Sequence, residues 1–246
     1  MLRKGKILGV LGLFLAAWAG LWTAAAVSDP DSFTAARQRM VAEQLQGRDI
    51  TDPRVLAAMG RVPRHHFVPE NLARQAYNDH PRPIGFGQTI SQPYIVALMT
   101  QWAEVKQGDK VLEVGTGSGY QAAVLAELTD RVFTIELLPE LAGTAKARLR
   151  DLGYDRVQVR CGDGYKGWPE EAPFDAILVT ATAPEVPAAL KQQLQEGGRL
   201  VIPVGTPGKV QDLLLVRKVK GDLREEKRVP VLFVPLVKPG EERRER

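Results

Sequence analysis

Glu113-Val-Gly-Thr-Gly-Ser-Gly-Tyr120 is the stretch on which the fold turns. An apolar run over 110–114 leads into it, and a helix-forming segment over 120–128 leads out. The glycines at 115, 117 and 119 therefore stand where a strand hands over to a helix. There, the missing Cβ atoms let the backbone turn tightly and approach a ligand. The same glycines can also serve a junction that only packs.

Downstream, residues 131–135, 157–160, 174–180 and 199–203 read as short strands, with helical segments over 139–152 and 187–194 between them. Strands alternating with helices build βαβ units, so the expected fold class is α/β, a doubly wound, mostly parallel, Rossmann-like sheet. The end of the chain differs. Residues 213–219 and 229–237 are strand-like, and the charged link over 220–227 is too short for a crossover helix, which predicts an antiparallel C-terminal edge. Upstream, Phe33, Ala36, Met40, Val41 and Leu45 recur at helical spacing over 31–46, with Gly47 as a stop. Thr51-Asp52-Pro53 starts a second helix that fades at Gly60. The Gly- and Pro-rich stretch 81–93 reads as a shaped loop, followed by a helix over about 93–102. The expected organisation is one domain over 31–238, with extra N-terminal helices and a loop over 31–102, a sheet over 108–238, and a flexible tail at 239–246.

With 246 residues, 44% of them hydrophobic and 25% charged, the chain has the make-up of a single globular domain. The net charge is +4, and much of the excess lies at the two ends, in Arg3, Lys4 and Lys6 and in the Glu-Glu-Arg-Arg-Glu-Arg tail. That distribution argues against a nucleic-acid footprint. Cys161 is the only cysteine, so no intrachain disulfide forms, and its thiol is expected to be buried or inert. With three histidines there is little material for a metal site, and none is expected. Residues 1–27 stand apart: a basic start, an apolar run over 7–22 and the small Ala24-Ala25-Ala26 have the order of an export signal. Uncleaved, the run is near the roughly 20 residues that cross a bilayer. Membrane contact is expected only through this segment, and the protein is expected to be a monomer.

Two acidic residues follow the glycine loop. Glu136 closes the next strand about 20 residues past the first glycine, where a carboxylate accepts hydrogen bonds from ribose hydroxyls. Asp163, in Cys161-Gly-Asp-Gly-Tyr165, closes the third strand, where it can accept from an adenine amino group or simply form an Asp-Gly turn. A dinucleotide fingerprint needs glycine at position 120, where this chain has Tyr120. The spacing instead favours S-adenosyl-L-methionine, which has no pyrophosphate to seat.

Pro83-Ile-Gly-Phe-Gly-Gln-Thr-Ile-Ser-Gln-Pro-Tyr94, with Glu113 to Gln121, Gly162-Asp-Gly164, Phe174-Asp-Ala-Ile177 and Phe233-Val-Pro-Leu236, resembles the protein-L-isoaspartate O-methyltransferases. The likeness runs from about Ala36 to Lys238. It implies a class I methyltransferase sheet with S-adenosyl-L-methionine held at Gly115, Thr116, Gly117, Ser118, Gly119, Glu136, Asp163 and Gly164. It also implies a substrate loop at Gln88, Thr89 and Ile90, and an active-site serine at Ser91. The implied activity is methyl transfer to the free α-carboxylate of L-isoaspartyl residues in damaged proteins, opening repair through a succinimide. Read by itself, Ser91 ahead of Pro93 is equally an N-cap. Many members of the family carry arginine where this chain has Leu232, so a substrate contact from that position is not carried over.

A carboxylate is ionised at neutral pH, so such a reaction needs positioning rather than a general base. Two other functions fit parts of the sequence: a small-molecule carboxyl methyltransferase, and an exported binding module that keeps the fold without turnover. A hydrolase built on Ser91 with His65 or His66 lacks a G-x-S-x-G elbow. Those histidines read as surface or packing residues, and Trp168 and Phe174 as core. Location divides the expectations. Cofactor supply and the resemblance imply the cytoplasm, residues 2–26 imply export or anchoring, and a start at Met40 would discard the segment. Export or anchoring is the expectation.

Overall fold

The computed structural model describes residues 30–241; the segment read as a signal or anchor, 1–27, lies outside them, as do 242–246. Helix α1 (Pro30–Arg39) runs on through a wider helical turn, Met40–Gln46, and stops at Gly47 as its spacing predicts. Met40 and Leu45 anchor it, both wholly buried. α2 (Pro53–Arg61) begins after Asp52, whose carboxylate accepts from the Arg54 N–H at 2.8 Å, a cap that contributes about 1 kcal/mol. The stretch expected to be a loop contains a short hairpin, β1 (Arg82–Gly85) and β2 (Gln88–Ile90). Gly85, Phe86 and Gly87 form its turn with φ of +93°, +52° and +66°. A left-handed run of this kind needs its flanking glycines, and they gave the stretch its irregular composition. α3 (Pro93–Ala103) follows.

The sheet is built from β3 (Lys110–Val114), β4 (Arg131–Glu136), β5 (Gln158–Cys161), β6 (Phe174–Val179), β7 (Leu194–Val204), β8 (Gln211–Val219) and β9 (Asp222–Val231). Between them come α4 (Tyr120–Ala126), α5 (Pro139–Asp151) and α6 (Ala188–Gln193). The strand order is β5-β4-β3-β6-β7-β8-β9. Pairs among β5, β4, β3, β6 and β7 are parallel, and β7-β8 and β8-β9 are antiparallel. Successive side chains of β3 alternate between two cores: Val111 packs with α3 and α4, while Leu112 and Val114 pack with Phe133, Phe174 and Leu190 of α6. Both faces are thus covered, as a parallel sheet requires. After β5 the chain returns to the other side of β3, so the carboxyl end of β3 is the topological switch point, where open α/β sheets bind ligands.

Three further expectations are corrected. The last strand is Asp222–Val231, not 229–237, and the charged segment expected to connect it is the strand itself. Lys220 and Gly221, with φ of +55° and +81°, make a two-residue turn that matches the twist of a hairpin. An edge strand needs no apolar run, and its charges guard the open edge. β7 begins at Leu194 rather than at 199, because a bulge opposite Phe174 and Ala176 lets the chain enter the sheet early. Cys161 is exposed rather than buried, since it closes the outermost strand. Phe174 is fully buried and Trp168 packs edge-on to Phe133 at 5.5 Å, as core residues should.

Candidate active site

A cavity of about 300 Å³ opens at the switch point. Its floor is Gly115 and Gly117 of the glycine loop, and one side is Glu136 with Leu137 and Leu138. Gly164 and Thr180 supply further wall, Gln88 and Thr89 of β2 come from the hairpin, and residues 234–237 close it from the C-terminal side.

The loop is fixed from within. Gly115, Gly117 and Gly119 have φ of +100°, +52° and +88°, a region that favours glycine. The N–H groups of Gly115 and Thr116 donate to the Ile135 carbonyl at 2.8 and 3.1 Å, and that of Gly119 donates to the Thr116 carbonyl at 2.8 Å. Gly117 N–H donates to Glu136 Oε2 at 2.8 Å, and Tyr120 N–H to Ser118 Oγ at 3.3 Å. With these donors engaged, the loop offers no nest for a phosphate, which agrees with Tyr120 standing where a dinucleotide fingerprint needs glycine. Beneath it, Thr134 Oγ1 donates to Glu113 Oε2 at 2.6 Å and sits 2.6 Å from Thr116 Oγ1. Burial pushes the Glu113 carboxyl up to about 8; the Thr134 hydrogen bond opposes this and nearby Glu136 adds to it. Thr116 and Ser118 are buried members of this scaffold rather than cavity walls.

Glu136 is 7% exposed, and its Oε1 accepts from the Leu138 N–H at 3.1 Å. Each carboxylate oxygen retains a second lone pair, so the cavity side can accept a pair of hydroxyls. Asp163 stands behind Gly164, and its Oδ1 accepts from the Tyr165 N–H at 2.9 Å and caps the turn that follows. A Cβ on Gly164 would meet Val114 Cγ1 at 2.6 Å, so only glycine lets this wall lie so close to β3. An acidic strand end, an inward-wound glycine loop and an apolar Leu137-Leu138 flank fit an adenosine-bearing ligand without a pyrophosphate.

On the hairpin side, Gln88 and Thr89 line the cavity, whereas Ile90 is 4% exposed and points into the core. Ser91 is half-buried, and its hydroxyl makes no hydrogen bond among the described residues. It is not the N-cap: α3 starts at Pro93, so Gln92 holds that place, and no side chain caps it. The Ser91 carbonyl accepts from Arg64 Nη2 at 2.7 Å. His65 stacks on Phe33 at 4.1 Å and bonds the Tyr77 hydroxyl at 2.7 Å, while His66 is exposed; neither lines the cavity. Among the described residues no group of His, Cys, Asp or Glu is arranged to hold a metal ion.

Several walls escaped sequence reasoning. Thr180 Oγ1 donates to the Gly115 carbonyl at 2.6 Å, and Phe86 stands 48% exposed at the cavity lip. Residues 232–237 leave the sheet and pair with Thr182, whose N–H donates to Val234 O and whose carbonyl accepts from Leu236 N–H, both at 2.8 Å. The buried Gln211 grips the start of this strap: Phe233 N–H donates to its Oε1 at 2.7 Å, and its Nε2 donates to Phe233 O at 3.4 Å. Phe233-Val-Pro-Leu236 had stood out only as part of a resemblance.

The family model for protein-L-isoaspartate(D-aspartate) O-methyltransferase matches residues 35–241. A protein-L-isoaspartate O-methyltransferase of Opitutus terrae is 61% identical over 202 residues, covering 82% of this chain and 87% of that relative. One from Picosynechococcus is 56% identical over 206 residues, covering 84% and 92%. A solved structure from Plasmodium falciparum, described as a putative protein-L-isoaspartate O-methyltransferase in complex with S-adenosyl-L-homocysteine, superposes with a TM-score of 0.71 at 29% identity, covering 82% of this chain and 98% of that one. On the strength of a match spanning nearly every described residue, the chain belongs to the protein-L-isoaspartate (D-aspartate) O-methyltransferase family.

Proposed function

We propose that this protein methylates the free α-carboxylate of L-isoaspartyl residues in damaged proteins, with S-adenosyl-L-methionine as methyl donor, and so begins their repair. The family match over residues 35–241 carries this reading, and the cavity at the switch point supports it. When bound, the cofactor supplies a methyl group on a sulfonium. Glu136 would hold the ribose hydroxyls, Asp163 and Gly164 the adenine edge, and Gly115 and Gly117 the face that needs a close backbone. Ser91, with the first turn of α3, would seat the substrate carboxylate, because a helix start offers N–H donors and a positive dipole end.

No general base is required, since the nucleophile is already an anion near pH 7. The task of the chain is placement, which accounts for about 7 to 11 kcal/mol when the reacting atoms are well aligned. The hairpin and the strap flank the cavity on two sides. In the methyl ester the amide nitrogen of the following peptide residue then attacks the ester carbonyl, loses its proton and expels methanol, closing the succinimide without a further protein group.

A substrate panel tests the reading. Methyl transfer to an isoaspartyl peptide, with little to its normal aspartyl isomer or to small carboxylic acids, is the expected result. Transfer to small acids alone would favour a small-molecule carboxyl methyltransferase, and cofactor binding without transfer would favour a binding module. Two further features belong to the same proposal. The protein acts as a monomer: among the described residues only Phe86, Val210 and Leu232 are exposed large apolar side chains, too few for an extended docking face. Residues 1–27 direct the domain out of the cytoplasm or anchor it, on the strength of their basic, apolar and small-residue order.

A further inference from the structure

Arg64 is the largest fully buried side chain among the described residues, and no carboxylate there pairs with it. Burial pulls its pKa down, Tyr120 and Tyr77 oppose that, and the neighbouring Arg82 adds to it. Its Nη1 has no hydrogen-bond partner. An unpaired cation in the interior is costly. No ion pair therefore gives the reason for an arginine here.

Its contacts give one. Nε donates to the Ala76 carbonyl at 2.6 Å, Nη2 donates to the Ser91 carbonyl at 2.7 Å, and the guanidinium lies 4.7 Å from the centre of the Tyr120 ring. Ala76 lies on the approach to the β1-β2 hairpin, Ser91 joins the hairpin to α3, and Tyr120 is the first residue of α4, next to the glycine loop. Tyr120 is itself 1% exposed and packs edge-on to Phe67 at 5.4 Å. One planar fork thus ties the substrate side of the cavity to the cofactor side. Lysine, a point charge on a flexible stem, cannot hold two carbonyls and an aromatic face at once.

We propose that Arg64 is a positioning residue for methyl transfer, fixing the Ser91 backbone against the start of α4 and setting an uncompensated positive charge one hydrogen bond behind the seat of the substrate carboxylate. This rests on the function proposed above.

The test uses the full chain with Arg64→Met and Arg64→Lys. Thermal unfolding, calorimetric affinity for S-adenosyl-L-methionine, and kcat and KM on an isoaspartyl peptide are measured for each. The expected result is folded protein with cofactor affinity within about 3-fold of wild type and kcat/KM lowered on the order of 100-fold in Arg64→Met. Arg64→Lys, which keeps the charge but not the fork, should fall between the two at about 10-fold. A kcat/KM within about 3-fold of wild type in Arg64→Met overturns the proposal, as does a loss of cofactor affinity that matches the loss of rate. Should Arg64→Met not fold, Arg64→Lys decides on the same criteria. Wild-type protein that leaves isoaspartyl peptide unmethylated would instead sink the functional reading, and this proposal with it.

Discussion

Glu136 serves two masters, holding the glycine loop through Gly117 N–H and facing the cavity with what remains of its acceptor capacity. Glu136→Ala and Asp163→Ala should each weaken S-adenosyl-L-methionine binding by about 1 to 3 kcal/mol, the scale of a lost hydrogen bond to a charged group. Ser91→Ala should do the reverse, lowering methyl transfer while leaving cofactor affinity in place. Titration calorimetry beside turnover separates the three; unchanged affinity in both acid variants, or wild-type turnover in the serine variant, would remove that residue from its role. Glu113 makes a prediction of a different kind. Its folded pKa of about 8 lies above the ordinary 4.5, so between those values the folded protein keeps a proton that the unfolded chain has lost. Its contribution to stability is complete below about 4.5, declines as pH rises and is gone above about 8. Glu113→Gln should flatten that decline, as denaturation midpoints near the two ends of the window will show, and an unaltered slope would contradict it. At this scale the sequence was legible where chemistry and spacing coincide, as at Glu136. Arg64 and Gln211 were not legible, because their roles are set by which carbonyls they meet across the fold.

Elements were readable wherever a short apolar run was bounded by turn residues, as in β3, β4 and β6. They were misread where tertiary context alone makes a strand: β9 is charged because it is an edge, and the hairpin is glycine-rich because of its turn. The strap over 232–237 makes only an isolated parallel bridge, Thr182 with Pro235, and it becomes a wall only through Thr182 and Gln211. Since Gln211 does not line the cavity, Gln211→Ala should weaken cofactor binding at a distance, by about 1 kcal/mol for the lost buried amide contacts. Cofactor affinity equal to wild type, measured by the same calorimetry, would mean the strap holds its place without that grip.

Across the whole molecule, the cofactor side of the cavity comes from the sheet and the substrate side from the segment before it, so residues far apart in sequence meet at one switch point. The glycine loop announced the first half. The second half was legible only through the resemblance of 83–94, since no general rule of spacing marks a substrate hairpin. Location belongs to this scale too. A reporter active only outside the cytoplasm, fused after residues 1–40, should give signal if the leading segment exports or anchors the domain; a silent reporter with native protein starting at Met40 would contradict that. Repair chemistry is the property on which the functional expectations depend. Its most direct measurement follows a purified isoaspartyl peptide over time, with the protein and S-adenosyl-L-methionine, separating isoaspartyl, succinimidyl and normal aspartyl forms by chromatography. The expected result is loss of the isoaspartyl form, passage through methyl ester and succinimide, and steady gain of normal aspartyl peptide that depends on the cofactor. An isoaspartyl peptide that persists unmethylated while the protein binds its cofactor would contradict it.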